Sequence, residues 1–154
     1  MNQYEYRLEE FLHKNNVQAE HLRFDHSCHS VEDAAKAANA SAQDIVKNIC
    51  LITPENGLVV AIVKGEDRAS TKRVRKALND VEVRTATPEE ILEKTGYPCG
   101  GVPSFGFLAT FLIDPKVMER DLIYTGGGSE YSLVKIAAKE LSRVNQGHIV
   151  RVRK

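Results

Sequence analysis

Lys47 stands in the run Ile45-Val46-Lys47-Asn48-Ile49-Cys50-Leu51-Ile52, where strand alternation puts it on the face of Ile45, Ile49 and Leu51. A lysine so placed either snorkels its stem over apolar surface to reach water or directs its ammonium at an anionic ligand in a cleft. The segment Gly96-Tyr97-Pro98-Cys99-Gly100-Gly101-Val102-Pro103-Ser104-Phe105-Gly106 is too long, and too dense in Gly and Pro, for a simple turn. Glycines let main-chain N–H groups approach an anion or a developing oxyanion, and prolines keep such donors aimed. A purely structural crossover loop is the other reading.

A second cluster, Thr125-Gly126-Gly127-Gly128-Ser129, follows a strand-like stretch, as phosphate-cradling loops do. It lacks the G-x-x-x-x-G-K-[ST] spacing of a nucleotide P-loop, which leaves a tight hairpin, slightly favoured, or a ligand-covering flap. His26, Cys28 and His29 supply three candidate zinc ligands without a partner C-x-x-C or H-x-x-x-H, so a structural or surface cluster is expected there. Zinc hydrolysis through these three remains an alternative that predicts bound metal. Cys99 lies inside the glycine-rich loop but carries no nucleophile motif. Basic residues gather at Arg68, Lys72, Arg73, Arg75 and Lys76, and again at Arg143, Arg151, Arg153 and Lys154. They fit either a solvated helix face or a nucleic-acid patch.

The elements that must position these groups follow from periodicity. Tyr4, Leu8, Phe11 and Leu12 recur at helical spacing over Tyr4 to Lys14, and a short extended piece follows at Leu22 to Phe24. Ser30 and Asp33 form a near capping box before an alanine-rich helix, and Ser41 with Asp44 repeats the pattern. Ile45–Ile52 and Leu58–Val63 read as a hairpin at the centre of a sheet, the second run apolar on both faces. Ser70 caps a helix through Leu78, Val81–Val83 reads as a strand, and Thr87-Pro88-Glu89-Glu90 opens a helix to about Lys94. Strands are expected at Phe111–Ile113 and Leu122–Tyr124 around a helical turn at Pro115–Arg120, with a last strand and helix after the second glycine cluster. Short alternating helices and strands without repeat or linker predict one α+β domain over residues 1–154.

The 154 residues carry 21 Lys plus Arg against 21 Asp plus Glu, so any polyanionic partner must be held by a local patch and not by the field of the whole chain. Three widely spaced cysteines argue for a reducing compartment, the cytoplasm, and against a secreted disulfide framework. The N-terminal residues lack a signal-peptide pattern and no apolar run approaches a membrane span, so membrane insertion is not expected.

Three stretches, taken in order, resemble the YbaK/prolyl-tRNA synthetase-associated domain family of aminoacyl-tRNA editing deacylases. They are Ser30-Val31-Glu32-Asp33-Ala34-Ala35 with Ile45-Val46-Lys47-Asn48, Gly100-Gly101-Val102-Pro103-Ser104-Phe105-Gly106, and Thr125-Gly126-Gly127-Gly128-Ser129 with Leu133-Val134-Lys135-Ile136. The resemblance implies a mixed, barrel-like sheet surrounded by helices, with the acceptor end of an aminoacyl-tRNA in a cleft. It implies that Lys47 holds the substrate's terminal region and that Gly100, Gly101, Val102, Pro103 and Ser104 shape the catalytic pocket. Phe105, Gly106, Gly126, Gly127, Gly128 and Ser129 are then expected at the substrate, and Lys72, Arg75 and Lys76 at tRNA phosphates.

The implied activity is a free-standing hydrolase, without metal or cofactor, that deacylates mischarged tRNA, with Cys- or Ala-tRNA(Pro) as substrate and prolyl-tRNA synthetase as a further partner. The alternative is a non-catalytic module of the same fold that binds an acceptor stem, a nucleotide or a synthetase. Ser104 stands where the family usually has proline, so Ser104→Pro is expected to change the cleaved aminoacyl group more than stability.

Overall fold

The computed structural model describes all residues, 1–154. Eight strands form two sheets, accompanied by five α-helices. Helix α1 (Gln3–Lys14) starts at an Asn2/Glu5 capping box, α2 (Val31–Ala38) at Ser30 and α4 (Pro88–Thr95) at a Thr87/Glu90 capping box, as their cap residues dictate. Helix α3 (Thr71–Ala77) is capped by Ser70, and α5 (Ala138–Asn145) continues directly from the last long strand. Ser41 caps only a single 3₁₀ turn at Ala42–Asp44.

Strands β2 (Val46–Ile52) and β3 (Leu58–Lys64) form the expected antiparallel hairpin. With β4 (Arg84–Thr85), β5 (Thr110–Ile113) and β8 (His148–Ile149) they make a mixed sheet in the order β4-β2-β3-β5-β8. All seven residues of β3 are buried, as a central strand covered on both faces requires. The smaller sheet, β1-β7-β6, is antiparallel and contains β1 (Ala19–Arg23), β6 (Leu122–Gly126) and β7 (Ser132–Ala137). The second glycine cluster is therefore a β6–β7 hairpin connection. The two sheets share a single backbone bridge, between Ile45 and Tyr124, and do not close into a barrel.

The largest core lies between the sheets, joining Val46, Cys50, Val60 and Ile62 to Ile123, Val134 and Ile136. A second core on the other face of the five-stranded sheet packs Val74 of α3 and Val152 against Leu51, Val59, Ala61 and Val63. Val81–Val83 is not a strand: Asn79 and Asp80 turn the chain through left-handed conformations, and Arg75 binds Asp80. Pairing with β2 begins only at Arg84. No helix is long and apolar enough to cross a membrane.

Candidate active site

The outer edge of β2 is paired with β4 only at Leu51 and Ile52, and it meets β6 only at Ile45. From Val46 to Ile49 this edge pairs with no strand, and a pocket of about 240 Å³ opens there. The edge supplies Lys47, Asn48 and Ile49; the start of α2 supplies Ser30 and Val31; the two glycine-rich segments supply Gly100, Val102, Thr125 and Gly126.

Lys47 is half-buried, and its ammonium meets no carboxylate or hydrogen-bond acceptor. Burial lowers its pKa, the Arg68 charge lowers it further, and Asp67 partly offsets both. An unpartnered cation at a pocket wall is a ready seat for an anionic or polar oxygen. The amides of Gly100 and Val102, both at the pocket, donate to no acceptor within the chain. They are among the main-chain donors available there for a developing oxyanion. Gly101, by contrast, donates to Pro98 O at 2.9 Å and accepts from Gly128 N at 2.8 Å.

That last bond explains much of the glycine content. A Cβ on Gly101 would fall 2.6 Å from the backbone of Gly128 and Ser129, and one on Gly126 would collide with the Val102 carbonyl. The two segments lie backbone against backbone, so these glycines serve close approach.

Behind the pocket wall, Ser104 Oγ donates to Asn48 Oδ1 at 2.6 Å and lies 2.7 Å from Thr125 Oγ1. Asn48 Nδ2 donates to Val102 O and to Thr125 Oγ1, both at 2.9 Å. Residue type alone does not single out Asn48 or Thr125. The signal that could find Asn48 is a polar side chain on the face that otherwise carries Val46 and Cys50.

Of the residues expected at the site, Lys47, Gly100, Val102 and Gly126 line the pocket, with Gly101, Pro103 and Ser104 buried behind it. The others are placed elsewhere. Phe105 is 1% exposed in the main core and stacks on Phe11 with ring centroids 5.7 Å apart, and Gly106 passes the same ring. Gly127 packs on Ser132 and Leu133, Gly128 on the first turn of α1, and Ser129 bonds Ser132 and Tyr131. These five support the loops and do not reach the pocket. Lys72, Arg75 and Lys76 are exposed on α3, with Arg75 tied to Asp80 at 2.7 Å and to Glu82 at 3.8 Å.

His26, Cys28 and His29 do not converge; no three His, Cys, Asp or Glu side chains form a group able to hold a metal ion. Burial, then the Asp33 charge, raises the Cys28 pKa, and burial with Cys99 pushes Cys50 to about 11, so neither is a poised thiolate.

A small α+β domain with an open strand edge, one free lysine and free loop amides defines a class of chain built to hold a polar ligand against backbone donors. Residues 25–144 match the aminoacyl-tRNA editing domain family, and the chain belongs to it. It is 26% identical over 121 residues to the uncharacterized protein YwhH of Bacillus subtilis, spanning 77% of this chain and 76% of that one. It is 32% identical over 77 residues to a proline–tRNA ligase of Pseudothermotoga lettingae, across 50% of this chain but only 13% of the ligase. Among solved structures, the "putative trans-editing enzyme for prolyl tRNA synthetase" superposes with a TM-score of 0.93 at 22% identity, covering 100% of this chain and 99% of that one. The hypothetical protein APE2540 superposes with a TM-score of 0.87 at 25% identity, covering 96% and 99%.

Proposed function

We propose that this chain is a trans-acting deacylase that hydrolyses the ester of mischarged aminoacyl-tRNA, with cysteine or alanine on the tRNA for proline as its substrate. The observation that carries the reading is the unpartnered Lys47 ammonium beside the free amides of Gly100 and Val102 in one pocket. An aminoacyl ester is already activated. The site need only seat the terminal nucleotide, place a water at the carbonyl carbon, and stabilise the tetrahedral oxyanion while the water's proton passes to the leaving ribose oxygen. Lys47 holds a phosphate or ribose oxygen, and the two amides face the carbonyl oxygen. When the intermediate collapses, the bond to the ribose oxygen breaks, releasing the amino acid and a free ribose hydroxyl. One preorganised oxyanion donor is worth about 10²- to 10³-fold in rate.

The pocket holds about 240 Å³. Size alone discriminates by only about 1 to 3 kcal/mol per methylene, so rejection of larger groups rests on the walls. The test is a panel of tRNAs charged with cysteine, alanine, serine, proline and leucine, with parent protein and Lys47→Ala. Release of cysteine or alanine above the spontaneous rate, and its loss in Lys47→Ala without loss of stability, is the expected outcome. Because burial lowers the Lys47 pKa, the rate should also fall on the alkaline side before an ordinary lysine would titrate. Tight binding with an unchanged ester half-life would establish a binding module instead, and a fully active Lys47→Ala would return that lysine to a snorkelling role.

A further inference from the structure

The face of the five-stranded sheet that carries Lys47 also carries Ile49 and Leu51, and it is covered by α3 through Val74 and by the segment Arg151–Lys154 through Val152. That segment runs antiparallel to the link after β3. Ala69 bridges Arg153, Ser70 N donates to Val152 O at 2.7 Å, and Lys154 N donates to Arg68 O at 2.9 Å. Two basic clusters far apart in sequence thus become neighbours, with Arg68 close enough to Lys47 to act on its charge.

The cations there divide into two kinds. Arg153 is bound to buried Asp114 at 2.9 Å, Lys64 to Glu66 at 2.9 Å, and Arg75 to Asp80 at 2.7 Å. Arg68, Lys72, Arg151 and Lys154 are exposed and engage no carboxylate; Arg151 reaches only the Arg153 carbonyl. The acids beside them are Glu66, already neutralised, and Asp67, whose Oδ2 has no hydrogen-bond partner. In a chain whose charges sum to zero, a local group of unpaired cations next to the pocket is a site for regularly spaced anions.

We propose that Arg68, Lys72, Arg151 and Lys154 form a phosphate track that receives the acceptor-stem backbone of an RNA whose 3′ end enters the Lys47 pocket. It rests on the deacylase reading for the RNA's orientation but not for its binding. The outer face of α3, where Arg75 is held by acids, is then not the principal contact.

The test uses an uncharged RNA hairpin with an acceptor stem and a single-stranded 3′ end, so that binding is read without hydrolysis. Dissociation constants are measured against salt for the parent, for the Arg68→Gln/Arg151→Gln/Lys154→Gln variant, and for a Lys14→Gln/Lys116→Gln/Lys139→Gln control of equal net charge. The track variant should flatten the log–log salt slope by about 0.7 to 0.9 for each phosphate no longer neutralised, hence by roughly 2 to 3 in all, while the control keeps the parent slope. Equal slopes in parent and track variant, or equal flattening in the control, would overturn the track. So would a parent that ignores the hairpin, or that prefers anionic phospholipid vesicles to it. If the hairpin binds through the track yet no charged tRNA is deacylated, the hydrolytic reading fails and the track stands.

Discussion

Ser104 has one hydroxyl proton, and its neighbours decide where it goes. Val102 O can only accept, which turns the Asn48 amide so that Nδ2 faces it and Oδ1 faces Ser104. Ser104 therefore donates to Asn48 Oδ1, Thr125 donates to Ser104, and Asn48 Nδ2 donates to Thr125, which closes a ring. Removing one member strands the others in a site where Ser104 and Thr125 are both 0% exposed. Ser104→Ala should cost about 1 to 3 kcal/mol, the range for leaving a buried polar group unsatisfied, read as a lower urea midpoint at unchanged slope. Ser104→Pro loses the same hydroxyl, so its first effect should be on stability and not, as loop stiffness alone suggests, on the aminoacyl group cleaved. A Ser104→Pro variant as stable as the parent would show that the ring carries no net energy.

At the scale of elements, the segment after β8, bonded along its backbone to Arg68 and Ser70, is also anchored by one buried carboxylate. Asp114, 0% exposed at the end of β5, accepts from the amides of Lys116, Val152 and Arg153 at 3.0 to 3.1 Å and from the Arg153 guanidinium at 2.9 Å. Burial by itself would raise its pKa, but these donors overcome that and hold it below the usual carboxylate value. A depressed carboxyl pKa contributes stability that is fully present above the unfolded-state value, about 3.9, and is lost as pH falls through the folded-state value. Asp114→Ala should thus cost about 3 to 5 kcal/mol at pH 7, because it leaves Arg153 without its partner. The gap between variant and parent in urea unfolding should narrow below about pH 4. Detachment of Arg151–Lys154 should also weaken RNA hairpin binding in that variant, since the track is built on the same segment.

For the whole molecule, one core of 21 buried residues takes members from both sheets and from α1 and α5, so each sheet buries one face against the other. The two sheets share only one backbone bridge, and side-chain packing is what unites them. Urea unfolding followed by far-ultraviolet and near-ultraviolet circular dichroism should give coincident single transitions. Separate midpoints would mean that the sheets unfold independently and that the chain is not one cooperative domain.

Local signals determined most of the elements. The caps at Ser30, Ser70 and Thr87, the β-branched runs of β2 and β3 and the exclusion of Lys47 from ordinary surface all depend on residues within a turn or two of each other. Those are short-range effects, so sequence carries them. The ordered motifs also sufficed to place the chain in its family. Tertiary structure decided what the glycines are for, because a backbone approach between residues 101 and 128 leaves no periodic trace. It decided that Phe105 belongs to the core, that Ser104 is a buried hydrogen-bond node with Asn48 and Thr125, and which cations are free. Apart from local pairs such as Arg75 with Asp80, each of those outcomes turns on a partner tens of residues away. Whether a polar or charged group is satisfied is a property of that partner, which the group's own neighbours in sequence do not specify.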